Sequence, residues 1–243
     1  MALTPELFQE RLDGLRAELS EQGVRVRRLV EKSFDAFFTR DADAAEAAIG
    51  LDDEIDRIDI ATEQAAVALL SEAAREAVVL PEAPLRGVLT LDKVNNELER
   101  IADAGVEVAR QAIDLADDPV RFPPTTRVMT NSVIGILRDV VKAYAKRDPA
   151  VARLVLQAED TVSLFKSEII RTGERRVASG ELSVEVAFDL VELAGRCTIM
   201  AGHATNIAEQ VIYESTGAIV RHSTDGWVDA HTPPPSAPRT GDG

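Results

Sequence analysis

Acidic side chains recur at helical spacing in two places. Asp52 and Asp56 are four residues apart, Asp53 and Asp56 three apart, and Glu99 and Asp103 again four apart. Spacings of three and four put side chains on one face of a helix. Two such sets on neighbouring antiparallel helices could aim several carboxyl groups at one point, and hard cations take oxygen donors of this kind. Without a cation, crowded carboxylates repel one another and their pKa values rise. Spacing alone leaves a second reading open, in which these acids are exposed and paired with Arg57 and Arg100.

Other chemistry finds no anchor. The three histidines are His203, His222 and His231, and there is no glycine-rich phosphate loop, HExxH or CxxC motif. There is also no Glu-x-x-His, the motif that bridges metals in di-iron helical bundles. No enzyme is expected. Asn206, on an otherwise apolar face, reads as an inter-helix hydrogen-bonder rather than a ligand. His203 fits either a structural hydrogen bond or a partner contact. Cys197, the single cysteine, excludes an intrachain disulfide, fits a reducing compartment and reads as a small buried residue. Trp227 either folds back over the last helix or lies exposed.

These residues must be positioned by helices. Aromatic residues are only 4% of the chain while apolar residues make up 45%, a balance that favours helix packing over sheet packing. Thr4-Pro5-Glu6 is a start signal, followed by apolar residues at three- and four-residue spacing from Leu7 to Phe38. Thr39–Asp43 reads as a turn with an aspartate cap. A second helix is expected over about Ala44–Leu80, with Gly50 a weak point inside it. Pro81 and Pro84 break the pattern, and a third helix follows to about Leu115.

Beyond a proline-rich linker the pattern restarts. Helices are expected over Thr125–Lys146, Ala150–Ser179 and Val184–Glu214, with Ser183 capping the last. The two halves align. Arg40-Asp41 matches Arg147-Asp148, the run Asp52–Asp56 lies over Glu159–Ser163, and Arg100–Ala109 lies over Ile199–Ala208. The expected fold is therefore all-α: two tandem three-helix bundles, six helices in all, related by an internal repeat. The first repeat is placed at 1–118, a linker at 119–125, the second repeat at 126–224, and a disordered tail at 225–243. That tail carries Thr232-Pro-Pro-Pro-Ser-Ala-Pro238 and cannot build a core.

Charge narrows the partners. The chain has 42 acidic and 27 basic residues, a net charge of -15, which disfavours nucleic acid and bare anionic lipid. No run approaches the ~18 apolar residues of a membrane span, and the N-terminus has no charged-then-apolar signal. A cytoplasmic protein that meets a membrane only through partners is expected.

Two segments resemble a known family. Leu98-Glu99-Arg100-Ile101-Ala102-Asp103 is similar to the Leu-Glu-Arg-Ile-Gly-Asp motif of the PhoU family. His203-Ala-Thr-Asn206-Ile-Ala-Glu209, leading through an apolar stretch to Gly217-Ala-Ile-Val220-Arg-His222, looks like its closing signature. The resemblance covers roughly residues 5–222. It implies a phosphate-signalling adaptor that couples the ATPase subunit of a phosphate ABC transporter to a sensor histidine kinase. Such an adaptor represses the phosphate regulon and pairs as a homodimer. Two alternatives remain: a metal-binding helical bundle, and an accessory of a secondary phosphate transporter.

The resemblance also implies metal, iron, zinc or another divalent cation, held by acids of the second and third helices of each repeat. In the first repeat these fall on Asp52, Asp53, Asp56, Glu99 and Asp103. In the second, the matching positions are Thr198, Gly202 and Ser163, with only Glu159 and Asp160 acidic, so that site is expected to be empty.

Overall fold

The computed structural model describes residues 2–115, 122–223 and 226–229. Helix α1 (Pro5–Thr39) starts where the Thr4 hydroxyl accepts the Leu7 N–H at 3.2 Å, with Pro5 in the first turn. It ends at Arg40 in the left-handed conformation (φ 56°). Helix α2 (Ala42–Ile49) starts on Asp41, whose carboxylate accepts the Ala44 N–H at 2.9 Å.

The single helix expected over Ala44–Leu80 is broken. α2 stops at Gly50, and α3 (Asp52–Arg75) resumes after Leu51. Glycine is the costliest ordinary residue in a helix interior, roughly 1 kcal/mol against alanine, so the break falls there. It lets Ala45 and Ala48 of α2, and Ile55, Thr62, Ala66, Leu69 and Ala73 of α3, all face inward. α3 also ends earlier than expected, at Arg75, where Ala77 turns to positive φ (54°) ahead of Pro81.

Helix α4 (Glu82–Asp114) completes the first repeat. Helices α5 (Pro124–Lys146), α6 (Pro149–Ala178) and α7 (Val184–Thr216) form the second. Asp148 caps α6 through the Ala150 and Val151 N–H groups, as Asp41 caps α2. Ser183 caps α7 through Val186, and Gly217 closes it at φ 76°. Counting α2–α3 as one broken helix, the all-helical six-helix repeat is as expected.

One element was not foreseen. β1 (Val220–Ser223) pairs antiparallel with β2 (Gly226–Asp229), with His222 opposite Trp227. The closing signature therefore ends in a hairpin. The rest of the expected tail, and the linker before Phe122, lie outside the described residues.

The repeats share one continuous core. α1 packs on α4 and α5, and α7 packs on α4, α5 and α6. Phe122 stacks on Phe37 at 4.8 Å and meets Phe38 edge-on at 5.7 Å, closing the junction between the halves. Gly23 lets α1 approach α5: a Cβ there would lie 2.8 Å from Val141 Cγ2. At the far end, the Arg16 guanidinium forks onto the Glu214 carboxylate, with Nη1 to Oε2 at 2.7 Å, and both side chains are buried. That pair ties the first helix of one repeat to the last of the other.

Candidate functional site

The break at Gly50 sets the site. Because α3 restarts at Asp52, its first turn carries Asp52, Asp53 and Glu54 at a helix N-terminus, where negative charge is favoured. Buried Gln22 of α1 pins this turn by donating to the Ile55 carbonyl at 2.8 Å. α4 runs beside α3. Asn95 Nδ2 donates to the Asp59 carbonyl oxygen at 3.0 Å and to the Asp59 carboxylate at 2.6 Å. That register brings Glu99 and Asp103 level with the start of α3.

The acids crowd one another. The Asp52 carboxyl is pushed up to about 6, by burial first and then by Asp56 and Asp103, with Arg110 opposing. Glu99 is raised by burial, by Asp103 and Asp59, and by a side-chain hydrogen bond to Asp103. Asp59 is also raised, by burial and by Glu63, Asp56 and Asp92. Asp53 contributes least: it is the smallest of the influences on Asp52. Asp52, Asp56, Glu99 and Asp103 are thus brought together, and Asp59 extends the stripe. The sequence signal for Asp59 was present, three residues beyond Asp56, but nothing in the spacing said that burial would reach it.

The pairing with Arg57 and Arg100 is not what forms. Arg57 Nε donates instead to the Asp53 backbone carbonyl at 2.8 Å. The acidic stripe has donor chemistry suited to a hard cation, all carboxylate oxygen, with its negative charge only partly offset by Arg100 and Arg110. Its side chains are splayed: among the described residues no three acidic, histidine or cysteine side chains converge as a ligand set.

Besides Arg100, two arginines that residue spacing did not anticipate, Arg110 and Arg196, join the site. A cavity of about 370 Å³ is lined by acidic Asp52, Asp103 and Glu107 together with basic Arg100, Arg110 and Arg196. Arg196 comes from α7 and approaches Glu107 at 3.5 Å. Arg100 and Arg110 share α4 with Asp103 and Glu107, whereas the contribution of Arg196 depends on the packing of the two repeats, which no local spacing reports.

The second repeat has a counterpart cavity of about 660 Å³, lined among others by Glu159, Asp160, Ser163, Thr198, Gly202 and His203. Here Glu159 accepts the Thr205 hydroxyl at 2.8 Å. His203 Nδ1 lies 2.6 Å from the Glu97 carboxylate of α4, which also accepts from Asn206 at 3.1 Å. His203 and Asn206 therefore bond across the repeats, the structural option in each case. Cys197 is buried, and burial pushes its thiol up to about 12, so it is inert as a thiolate. No described helix is long and apolar enough to cross a membrane.

Comparison with known proteins matches both halves. The PhoU domain model matches residues 19–112 and again residues 126–211. A Zymomonas mobilis protein named phosphate-specific transport system accessory protein PhoU homolog is 29% identical over 224 residues, covering 92% of each chain. A Thermotoga maritima protein named phosphate-specific transport system accessory protein PhoU homolog 1 is 26% identical over 212 residues. That match spans 86% of this chain and 89% of the relative. The crystal structure of PhoU from Pseudomonas aeruginosa superimposes with a TM-score of 0.77 at 25% identity, over 86% of this chain and 99% of that one. The Streptococcus pneumoniae phosphate transport system regulatory protein PhoU shares the fold, with a TM-score of 0.79 at 20% identity over 88% and 99% of the two chains. The Zymomonas mobilis and Thermotoga maritima relatives are named as accessory proteins of phosphate-specific transport systems.

Proposed function

Because the chain belongs to the PhoU family, we propose that it is an accessory and regulatory protein of phosphate transport. It acts by binding: in the cytoplasm it couples the ATPase subunit of a phosphate ABC transporter to a sensor histidine kinase and holds the phosphate regulon off when phosphate is plentiful. Residues 1–118 and 126–224 serve as its two repeats. The observation that supports this reading is the match of both halves, in tandem, to one domain model, in a chain whose described residues offer no catalytic constellation. Deleting the gene should derepress alkaline phosphatase in phosphate-rich medium. Phosphatase that stays repressed in the deletion strain would refute the role.

A second reading concerns a cation in the first repeat, favoured by the raised carboxyls of Asp52 and Glu99. Asp52, Asp56, Glu99 and Asp103 would hold a divalent cation such as iron or zinc, with Asp53 as an outer oxygen donor. The cation would supply positive charge that relieves their repulsion and ties α3 to α4. The second repeat, with Thr198, Gly202 and Ser163 in place of acids, would hold none. Metal analysis after reconstitution should find cation in the wild type and a loss of most of it in Asp56→Ala plus Asp103→Ala. A wild type that takes up no metal refutes this reading.

A further inference from the structure

Helices α4 and α7 occupy equivalent positions in the two repeats, and they pack antiparallel. Gln111 donates to the Asp189 carbonyl at 2.8 Å, Glu107 meets Arg196 at 3.5 Å, and Glu97 meets His203 at 2.6 Å and Asn206 at 3.1 Å. Two equivalent helices packed antiparallel are related by a local two-fold axis. In the repeat register Glu97 corresponds to Arg196 and Glu107 to Asn206. The Glu107–Arg196 and Glu97–Asn206 contacts are therefore one contact made twice about that axis. The two cavities are likewise mates, and His203 and Ile199 line both.

The same axis relates two apolar patches. Leu85 and Leu89 are 41% and 54% exposed near the start of α4, and their equivalents Val184 and Phe188 are 51% and 69% exposed at the start of α7. Each pair is four apart, on one helix face. Leu89, Asn96, Arg100, Asp103 and Glu107 follow helical spacing along the outer stripe of α4, so patch and cavity share a face. At 1.5 Å per residue the two patches lie about 40 Å apart along the helix pair. A single exposed leucine needs no explanation, but an apolar pair preserved at both ends of a two-fold axis marks a contact surface.

We propose that this face docks, as one copy of the chain, onto a partner that is itself a two-fold dimer, with the two axes coincident. Each partner subunit offers one apolar contact flanked by basic side chains. Basic flanks follow from the net charge of -15 and from Glu185 and Glu192 beside the second patch; beside the first, Asp92 and Glu82 stand with Lys93 and Arg86, so the basic preference is carried by the second patch and by the chain as a whole. Two equivalent contacts bind by avidity, since the second forms at the high effective concentration set by the first. This rests on the reading that the chain works on the transporter, whose paired ATPase subunits are the intended dimer. A second copy of this chain is the competing occupant of the face.

The test titrates purified full-length chain against the intact phosphate ABC transporter in detergent, reading complex mass by light scattering and affinity by interferometry. Wild type, Leu89→Asp, Phe188→Asp and the double variant are compared, with circular-dichroism melts to verify folding of these exposed-site variants. The expected result is one chain per transporter. Each single variant should weaken binding by a similar factor, about tenfold or more, and the double should weaken it beyond either single. Two chains per transporter overturn the inference while leaving the accessory role intact. So does a full effect from one patch and none from the other. A free chain that is dimeric and becomes monomeric in either variant assigns the face to self-association and also overturns it. A wild type that binds no transporter overturns both readings.

Discussion

The buried Arg16–Glu214 pair lends itself to a quantitative test. The perturbation is Glu214→Leu, alone and with Arg16→Met. Arg16 and Glu214 retain only 6% and 9% of their side-chain exposure, and the guanidinium also lies 5.2 Å from the centre of the Tyr144 ring. Arg16 Nε has no partner among the described residues, and the Glu214 carboxylate takes both Nη atoms, with Tyr144 and Asp13 favouring the charge at longer range. Burial already pulls the Arg16 pKa below the usual arginine value. Removing Glu214 strands a buried cation, at a cost of about 3–5 kcal/mol. Arg147, 3.9 Å from the same carboxylate, keeps Asp13 and adds little. For a chain of this size each kcal/mol moves Tm by about 2–4 °C, so Glu214→Leu should melt roughly 10 °C low. The double variant, apolar on both sides, should recover to within about 1 kcal/mol of wild type. Urea denaturation at 25 °C measures all three. A Glu214→Leu loss below about 1 kcal/mol, or a double variant as unstable as the single, would refute the claim that desolvation dominates this contact.

Asp52→Asn should stabilise the metal-free protein near neutral pH. A raised carboxyl favours folding below its unfolded value of 3.8 and loses that advantage as pH rises through about 6, so the gain from the substitution should be absent at pH 4 and present at pH 7.5. A carboxyl raised this far would be worth about 3 kcal/mol if fully buried, and solvent screening reduces this to about 1 kcal/mol. Thermal melts in chelator across that range measure it, and a pH-independent difference would count against the crowding of Asp52 with Asp56 and Asp103. Gly23→Ala should cost about 1 kcal/mol, because overpacking against the stiff Val141 outweighs the gain in helix propensity. Adding Val141→Ala should make Gly23→Ala neutral or favourable, and persistence of the full loss in the double variant would show that α1 and α5 do not meet there. Gly217→Ala, at φ 76°, should lose about 1 kcal/mol in the same melts, and an unchanged Tm would mean the left-handed cap is dispensable.

Helix period, caps and the internal repeat are local properties, and they could be read from residue order. Thr4, Asp41, Asp148 and Ser183 cap where their chemistry predicts, because an N-cap needs only a side-chain oxygen and the next two or three amides. The pairs Asp52–Asp56 and Glu99–Asp103 were legible too, since i,i+4 spacing survives any arrangement of the helices, but their approach to each other depends on the α3–α4 register. The break at Gly50 was visible only as a weak point, because a glycine lowers helix stability without saying whether packing will exploit it. The hairpin at Val220–Asp229 gave no periodic signal, its strands being four residues each. What packing alone settled lies between the repeats. The antiparallel meeting of α4 and α7 brings Arg196 to Glu107 and His203 to Glu97, residues about a hundred positions apart, and buries Arg16 against Glu214. Burial and the electrostatics that follow from it are properties of the assembled core, so the raised Asp52, the buried Arg16 and the two-fold face appear only once the helices are in place.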